Sequence, residues 1–427
     1  MNFIRDSINA LFTRIFVYII FIGISIYIAR VLGPEAKGIY SLLTQFVFIS
    51  VLLMKLGIDN AAVFYLGKRE DMSKIYPNII SLTIISSLII VLSLTLSLDF
   101  LSNTLLKNVE LILILIAFFS IPFKMSTEMS SSIILGMNKI KLLNSLRIIH
   151  FLLLLITFAA FVILFKLNLK GAILGFAFTE VVMTFVYLFI ISSWSKICLR
   201  FEPTIVKKLL NYGLRGFLGQ LFLLLIFRLD FFLLNYFKDA KSVGFYSIAV
   251  SFGELLCFIP EVIGMLLFPK LSSSDAETVD ENTTRVLRPL LVFLVILTVL
   301  LFYFVSWIVL LIYGEHYAHS IPLVRILLPG FLMMSLYYIF FSYFFSKGKP
   351  EIVTFVLSST MAFKALLAII LIPLHGAEGA AISSTIAYTF CGLTFIIIFL
   401  KYSRVTILDA LLVKSSDIKY LYKYLVI

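Results

Sequence analysis

The chain reads as an all-α integral membrane protein of about twelve spanning helices, set out as two six-helix bundles. Three observations predict this. Of the 427 residues, 61% are hydrophobic and the mean hydropathy is +1.09, against roughly 45–50% apolar residues in ordinary soluble domains. So apolar a chain has to face lipid. The apolar residues run continuously instead of alternating, which selects helices of about 20 residues over barrel strands. The sequence also echoes itself. Gly-Ile-Tyr-Ser-Leu at Gly38 returns as Gly-Phe-Tyr-Ser-Ile at Gly244, and Gly171-Ala172-Ile173 returns as Gly379-Ala380-Ala381, at offsets of 206 and 208 residues. Two echoes at nearly one offset mark two copies of a unit of about 200 residues.

The first span, about Thr13–Leu32, ends at Gly33-Pro34, whose turn chemistry stops a helix. A tight polar turn is expected there, with the helix restarting at Gly38 and spanning Ile39–Leu66. Arg5 and Arg14 precede the first apolar run as they would in a signal peptide. The run is long, however, and shows no small-x-small cleavage site before Arg30, so a retained span is expected. The next four spans are Pro77–Leu98, Leu111–Leu135, Leu146–Phe165 and Ala172–Trp194. The second six are Tyr212–Phe237, Val243–Phe268, Pro289–Tyr313, Ile321–Ser346, Glu351–Leu374 and Gly379–Leu400. Residues 1–194 and 212–400 thus form the two bundles. Residues 195–211, with Lys196, Arg200, Lys207 and Lys208, form a cytoplasmic linker, and 401–427 a cytoplasmic tail expected as a surface-lying helix.

Six is even, so both halves enter the membrane in one orientation, with their pseudo-twofold axis along the membrane normal. With the N-terminus inside, the loops carry 22 Lys+Arg inside and 7 outside, which puts both termini in the cytoplasm. The same bias accounts for most of the +12 net charge without a nucleic-acid partner. The acidic stretch Ser272–Arg288 is expected as a solvated connector.

Six cations fall inside spans: Lys55, Lys124, Arg215, Arg228, Arg325 and Lys364. So do six acids: Asp59, Glu128, Glu180, Asp230, Glu254 and Glu261. A charge at the bilayer centre costs roughly 2.5–3.5 kcal/mol on insertion scales. Twelve facing lipid would cost about 30 kcal/mol, more than the roughly 5–15 kcal/mol that holds a protein folded. They must face one another or water. Lys55 and Asp59, and Lys124 and Glu128, are four apart and share a helix face; Arg228 and Asp230, two apart, do not. Structural ion pairs between helices are the plain alternative to a functional site. Arg215 and Arg325 lie near span ends, where a long side chain reaches the interface. Lys55, Lys124, Arg228 and Lys364 lie nearer mid-span. Pro122 beside Lys124 and Pro260 beside Glu261 kink their helices beside charges. Gly213, Gly216 and Gly219 offer a small face for close helix approach.

Other chemistry has no foothold in the sequence. Cys198, Cys257 and Cys391 are far apart and odd in number, which gives neither a disulfide framework nor metal spacing. His150, His316, His319 and His375 show no ligand pattern, and no phosphate loop or nucleophile–base set is present. An enzyme is not expected.

Ala-Arg-Val-Leu-Gly-Pro-Glu-Ala-Lys-Gly-Ile-Tyr-Ser-Leu-Leu at Ala29–Leu43, then Leu-Gly-Ile-Asp-Asn-Ala at Leu56–Ala61, resembles the polysaccharide exporters and O-antigen (Wzx-type) flippases of the multidrug/oligosaccharidyl-lipid/polysaccharide exporter superfamily. Arg228-Leu229-Asp230 and Val243–Ile248 resemble the second half of the same family. The resemblance covers essentially the whole chain. It implies two six-helix bundles forming a V around a central cavity. It also implies a substrate of undecaprenyl-pyrophosphate-linked oligosaccharide, moved across the bacterial plasma membrane by alternating access. On that reading Lys55, Lys124, Arg228 and Lys364, with Arg215, hold the pyrophosphate, and Arg30 receives it near the outer mouth. Asp59, Glu128, Glu180, Asp230 and Glu254 exchange a coupling ion, H⁺ or Na⁺, and no other cofactor is expected. A polysaccharide polymerase and a chain-length regulator are candidate partners beside membrane lipid. The alternatives are a drug/cation antiporter of the same fold and a non-transporting scaffold for lipid-linked precursors.

Overall fold

The computed structural model describes residues 2–196, 198–273 and 275–403, with Val405, Thr406 and Asp409 beyond them. The surface-lying helix expected for 401–427 falls almost wholly outside the described residues. Ten helical stretches among them are long and apolar enough to cross a membrane. Two of the ten hold two spans each, broken at Gly33 and at Gly376, which restores the expected twelve.

The chain divides into two compact units. Unit 1 is 1–224 with 239–244; unit 2 is 225–238 with 245–427. Unit 1 begins with α1 (Asn2–Tyr27), which ends in a π turn (Ile28–Leu32). It continues through α2 (Gly33–Lys55), α3 (Ile58–Gly67), α4 (Met72–Leu96), the short α5 (Leu98–Asn103), α6 (Leu111–Gly136), α7 (Ile140–Phe158) and α8 (Asn168–Ser192). At the first corner the structure departs from the expected polar turn. Gly33 alone turns the chain, at φ 83° and ψ 177°, and Pro34 follows in the first turn of α2. Proline is pre-set for that position and lacks only an N–H that would have had no helical partner. Glu35 to Gly38 are therefore helical. Gly38 earns its place by packing, since a Cβ there would overlap the Ala240 carbonyl oxygen within unit 1. Its echo Gly244 is equally confined, by the Pro34 carbonyl.

A second corner separates α2 from α3. Leu56 (φ 48°) and Gly57 (φ 74°) are both left-handed, which ends one helix at Lys55 and starts the next at Ile58. Gly57 meets Gly213 backbone to backbone, so Gly213 serves packing as expected, whereas nothing lies near a Cβ on Gly216. Next, Asp71 caps α4: its Oδ1 accepts from the Ser73 N–H at 2.9 Å, and the Ser73 hydroxyl first, with this N–H second, holds its carboxyl below the usual carboxylate range. At the centre of unit 1 stands α6, packed against α2, α3, α4 and α8. Its 26 residues span about 39 Å at 1.5 Å per residue, enough for the hydrocarbon core.

α9 (Pro203–Phe237) is continuous, so the residues expected as linker are irregular only up to Glu202. Two hydrogen bonds tie the irregular segment to α4, from Arg200 N–H to Ser81 Oγ at 2.9 Å and from Glu202 N–H to Asn78 Oδ1 at 2.7 Å.

Unit 2 holds the end of α9, most of α10 (Ala240–Ser272), then α11 (Ala276–Tyr313), α12 (Ser320–Ser335), α13 (Tyr337–Ser346) and α14 (Pro350–Tyr402). α14 is two spans joined at Gly376 (φ 58°, ψ −129°), three residues after Pro373. Its core is aromatic: Phe340, Phe344, Phe395 and Phe399 are fully buried and in ring contact. The acidic stretch expected as a connector is instead the start of α11. Val279, Thr283 and Leu287 recur at helical spacing and are buried, and Asp280 pairs with Lys347 and accepts from the Tyr343 hydroxyl at 2.8 Å. Outward faces carry Leu88, Leu92 and Leu96 on α4 and Ile296, Tyr303 and Trp307 on α11, a surface suited to acyl chains.

Candidate functional site

The mid-span charges fall into two clusters, one in each unit. In unit 1 they form a branched chain. Lys55 ends α2 and Asp59 opens α3, each at the helix end whose dipole favours its charge. Lys55 Nζ stands 2.9 Å from Asp59 Oδ2 and 3.3 Å from Glu128 Oε2. Lys124 Nζ lies 3.4 Å from Glu128 Oε1 and 3.2 Å from Glu180 Oε1. Glu180 also accepts from the Thr127 hydroxyl at 2.9 Å and stands 3.3 Å from His150 Nε2. One carboxylate, Glu128, thus bridges two ammonium groups. The side chains of Lys55, Lys124 and Glu180 are buried, whereas that of Glu128 is 38% exposed. The cluster has an open edge and a closed core.

α6 keeps this cluster apart from a second feature. On another face of the helix Pro122, Ser126, Met129 and Ile133 line an apolar groove of about 520 Å³, whose other wall includes Ile80, Ile84 and Leu88 of α4. Lys124 and Glu128 are not part of its lining.

Unit 2 holds two separate ion pairs of mid-span charges. Lys364 Nζ lies 2.7 Å from Asp230 Oδ2, with both side chains wholly buried. The same carboxylate oxygen accepts from the Tyr246 hydroxyl at 2.6 Å and the Ser384 hydroxyl at 2.5 Å. Lys364 donates further to the Ile226 carbonyl. Arg228 Nη1 lies 2.7 Å from Glu254 Oε1, at side-chain exposures of 20% and 29%. Arg228 and Asp230 do turn to different partners, as their spacing implied.

Of the residues predicted for the site, the structure brings together Lys55, Lys124, Asp59, Glu128 and Glu180 in unit 1. In unit 2 it makes the pairs Lys364–Asp230 and Arg228–Glu254. Arg30, in the π turn, and Arg215, on α9, are exposed and join neither cluster. Arg325 reaches the Ser306 hydroxyl at 3.0 Å and lies over the Phe302 ring. Of the two arrangements open to the mid-span charges, facing one another or facing water, each of the four cations takes the first and stands against a carboxylate. The cost of a lone charge in lipid is met by pairing. Sequence reasoning missed His150, Thr127, Tyr246 and Ser384 as members of the clusters. His150 carried a signal, being an ionisable residue within a predicted span. The hydroxyls carried none, because their partners come from distant helices. Among the described residues no group of His, Cys, Asp and Glu is arranged to hold a metal ion.

A family model described as polysaccharide biosynthesis protein matches residues 3–275. A Shigella flexneri protein named "Putative O-antigen transporter" is 27% identical over 400 residues, 90% of this chain and 95% of its own length. An uncharacterized membrane protein of Methanocaldococcus jannaschii is 25% identical over 269 residues; the match takes in 60% of this chain but 53%, about half, of that relative. Among solved structures, the inward closed conformation of the lipid II flippase MurJ aligns with a TM-score of 0.75 at 17% identity, over 94% of this chain and 90% of that one. An inward-facing MATE family multidrug transporter of the MOP superfamily aligns at 0.71 and 15%, over 90% and 93%. At those identities the likeness is one of fold. The twin-unit helical membrane fold and the family match agree with the motifs around Gly38, and the chain belongs to the polysaccharide biosynthesis protein family.

Proposed function

We propose that this protein is a flippase for an anionic lipid-linked oligosaccharide, the undecaprenyl-pyrophosphate-linked unit of an O-antigen or capsule, in a bacterial plasma membrane with both termini in the cytoplasm. The family and the name of the Shigella flexneri relative support the substrate class. The observation that carries the site assignment is the Glu128 bridge between Lys55 and Lys124. A half-open carboxylate held by two ammonium groups occupies the position a pyrophosphate would take. A pyrophosphate brings more charge and more acceptor oxygens than the carboxylate it displaces. Arg228, partly open beside Glu254, is the corresponding candidate in unit 2. Lys364 is fully buried and committed to Asp230, so we assign that pair to holding unit 2 together. Alternating access would rock 1–194 against 212–400. Release of Asp59, Glu128, Glu180 or Glu254 from its cation would let it take up the coupling ion, H⁺ or Na⁺.

The test is export of the glycan in a host lacking its own flippase. Lys124→Ala and Arg228→Ala abolish it at normal membrane levels of protein, and the Lys124→Arg variant is milder. Full export from the alanine variants removes the assignment. One observation favours a drug/cation antiporter instead: the unit 1 cluster holds three carboxylates and two lysines. A resistance assay separates the two readings, because an antiporter protects cells from cationic drugs and a glycan flippase does not.

A further inference from the structure

The apolar groove beside α6 serves neither charge cluster. It lies wholly within unit 1, walled by α4, α6 and α8, with Tyr76 and Leu199 toward one end. Along α4 the wall runs from Tyr76 to Val91, a rise of about 22 Å at 1.5 Å per residue. Tyr76 is about one turn inside the start of α4 at Met72, so the groove begins near the edge of the hydrocarbon. One leaflet offers about 15 Å of the roughly 30 Å core. Even at the usual helix tilt of about 20°, the groove continues past the mid-plane. Its open side joins the lipid-facing surface, where Leu88 is 66% exposed. The hydroxyls of its wall turn into the protein. Thr83 donates to the Ile79 carbonyl at 2.8 Å, Thr184 to the Glu180 carbonyl at 2.9 Å, and Ser87 stands 3.6 Å from Met125 Sδ.

The Tyr76 end differs from the rest. The Tyr76 hydroxyl is buried and has no hydrogen-bond partner, an arrangement that costs free energy. The residue after Leu199 is Arg200, whose N–H is fixed on Ser81 Oγ of α4 at 2.9 Å. Its guanidinium is half-exposed and stands 2.5 Å from Glu202. The groove is thus apolar along its length, with a spare donor and a cation at one end.

We propose that this groove is a recruitment site for the polyprenyl chain of a lipid phosphate, with the phosphate at the Tyr76–Arg200 end. A phospholipid acyl chain rooted in one leaflet ends near the mid-plane and leaves the far part of the groove unfilled, whereas a long polyprenyl chain fills it throughout. The phosphate accepts from the Tyr76 hydroxyl and competes with Glu202 for Arg200. α6 stands between the groove and the Lys55–Lys124 cluster, so this is a second site and not the tail end of the first. The choice of lipid rests on the flippase reading.

Photo-crosslinking in liposomes tests it on the full-length chain. The photoreactive amino acid p-benzoylphenylalanine replaces Leu88, on the groove wall, or Leu92, one turn further on α4 and outside that wall. Both positions are exposed, so both tolerate the probe. Radiolabelled undecaprenyl phosphate should attach at position 88 about tenfold beyond its share of the lipid, and at position 92 only in proportion to that share. Unlabelled undecaprenyl phosphate should displace the label, while dioleoyl phosphatidylglycerol and farnesyl phosphate, whose chains are shorter than the groove, should need about ten times as much. Arg200→Ala should weaken attachment at position 88 about three- to fivefold, as befits a half-exposed charge. Equal attachment at the two positions, or equal displacement by phosphatidylglycerol, overturns the proposal and leaves ordinary membrane lipid in the groove. Equal displacement by farnesyl phosphate overturns the chain-length argument, and an Arg200→Ala variant that labels like the wild type overturns the placement of the phosphate. Labelling needs neither glycan nor transport. Unselective labelling of a protein that exports glycan therefore counts against the groove alone, and selective labelling of one that exports none supports the groove and counts against the flippase reading.

Discussion

The two charge clusters solve one problem in opposite ways. In unit 2, Asp230 and Lys364 are sealed at zero exposure, and the carboxylate is further held by Tyr246 and Ser384. Such a pair can be broken only by leaving a buried charge alone. In unit 1, Glu128 bridges two lysines at an open edge, and Glu180 is shared between Lys124 and His150. Partners there can be exchanged one at a time. Charges placed within spanning segments therefore do not all have the same role. One arrangement fixes a helix contact, and the other can trade a carboxylate for a ligand.

The largest effect that can break this contrast is in the sealed pair. Asp230→Leu or Lys364→Met alone should destabilise by about 3–5 kcal/mol, and the double variant should recover most of the loss. Thermal unfolding in detergent reads this, and a double variant no better than the singles would mean that the pair is not what the singles disrupt. Gly57→Ala comes next. It strains a positive φ and pushes on the Gly213 backbone, and so disturbs the corner that sets Lys55 against Asp59. A loss of about 1–3 kcal/mol is expected. Gly216→Ala, with open space around it, should stay within about 0.5 kcal/mol. Glu128→Ala should cost at most about 1 kcal/mol, because its carboxylate is more than a third exposed and screened, yet it should alter export. A large loss of stability there would make the two clusters alike. Arg215→Ala, exposed and outside both clusters, should be the mildest, within about 0.5 kcal/mol in unfolding and with normal export.

What the sequence disclosed followed from local rules. Hydropathy located the spans, and the two echoed glycines, Gly38 and Gly244, each lie against backbone in the structure. The i,i+4 spacing paired Lys124 with Glu128 along one helix. The same rule named the right partner for Lys55 by the wrong route, because two left-handed residues break the helix between it and Asp59. Spacing has no reach beyond one helix, so Lys124–Glu180, Arg228–Glu254 and Lys364–Asp230 stayed hidden although every member had been singled out. Gly33-Pro34 was read as a polar turn; one glycine at positive φ did the turning and left the proline free to begin a helix. The stretch before Arg288 was read by its charge, when the buried spacing of Val279, Thr283 and Leu287 governed it.

The most direct measurement uses the purified full-length protein in liposomes with a fluorescent polyprenyl-pyrophosphate-linked oligosaccharide. Accessibility of the glycan to an added lectin or reductant reports its movement between leaflets. The wild type should translocate it well above empty liposomes, and Lys55→Ala/Lys124→Ala should fall to the empty-liposome rate while remaining folded. A double variant that moves the glycan as fast as the wild type would contradict the account.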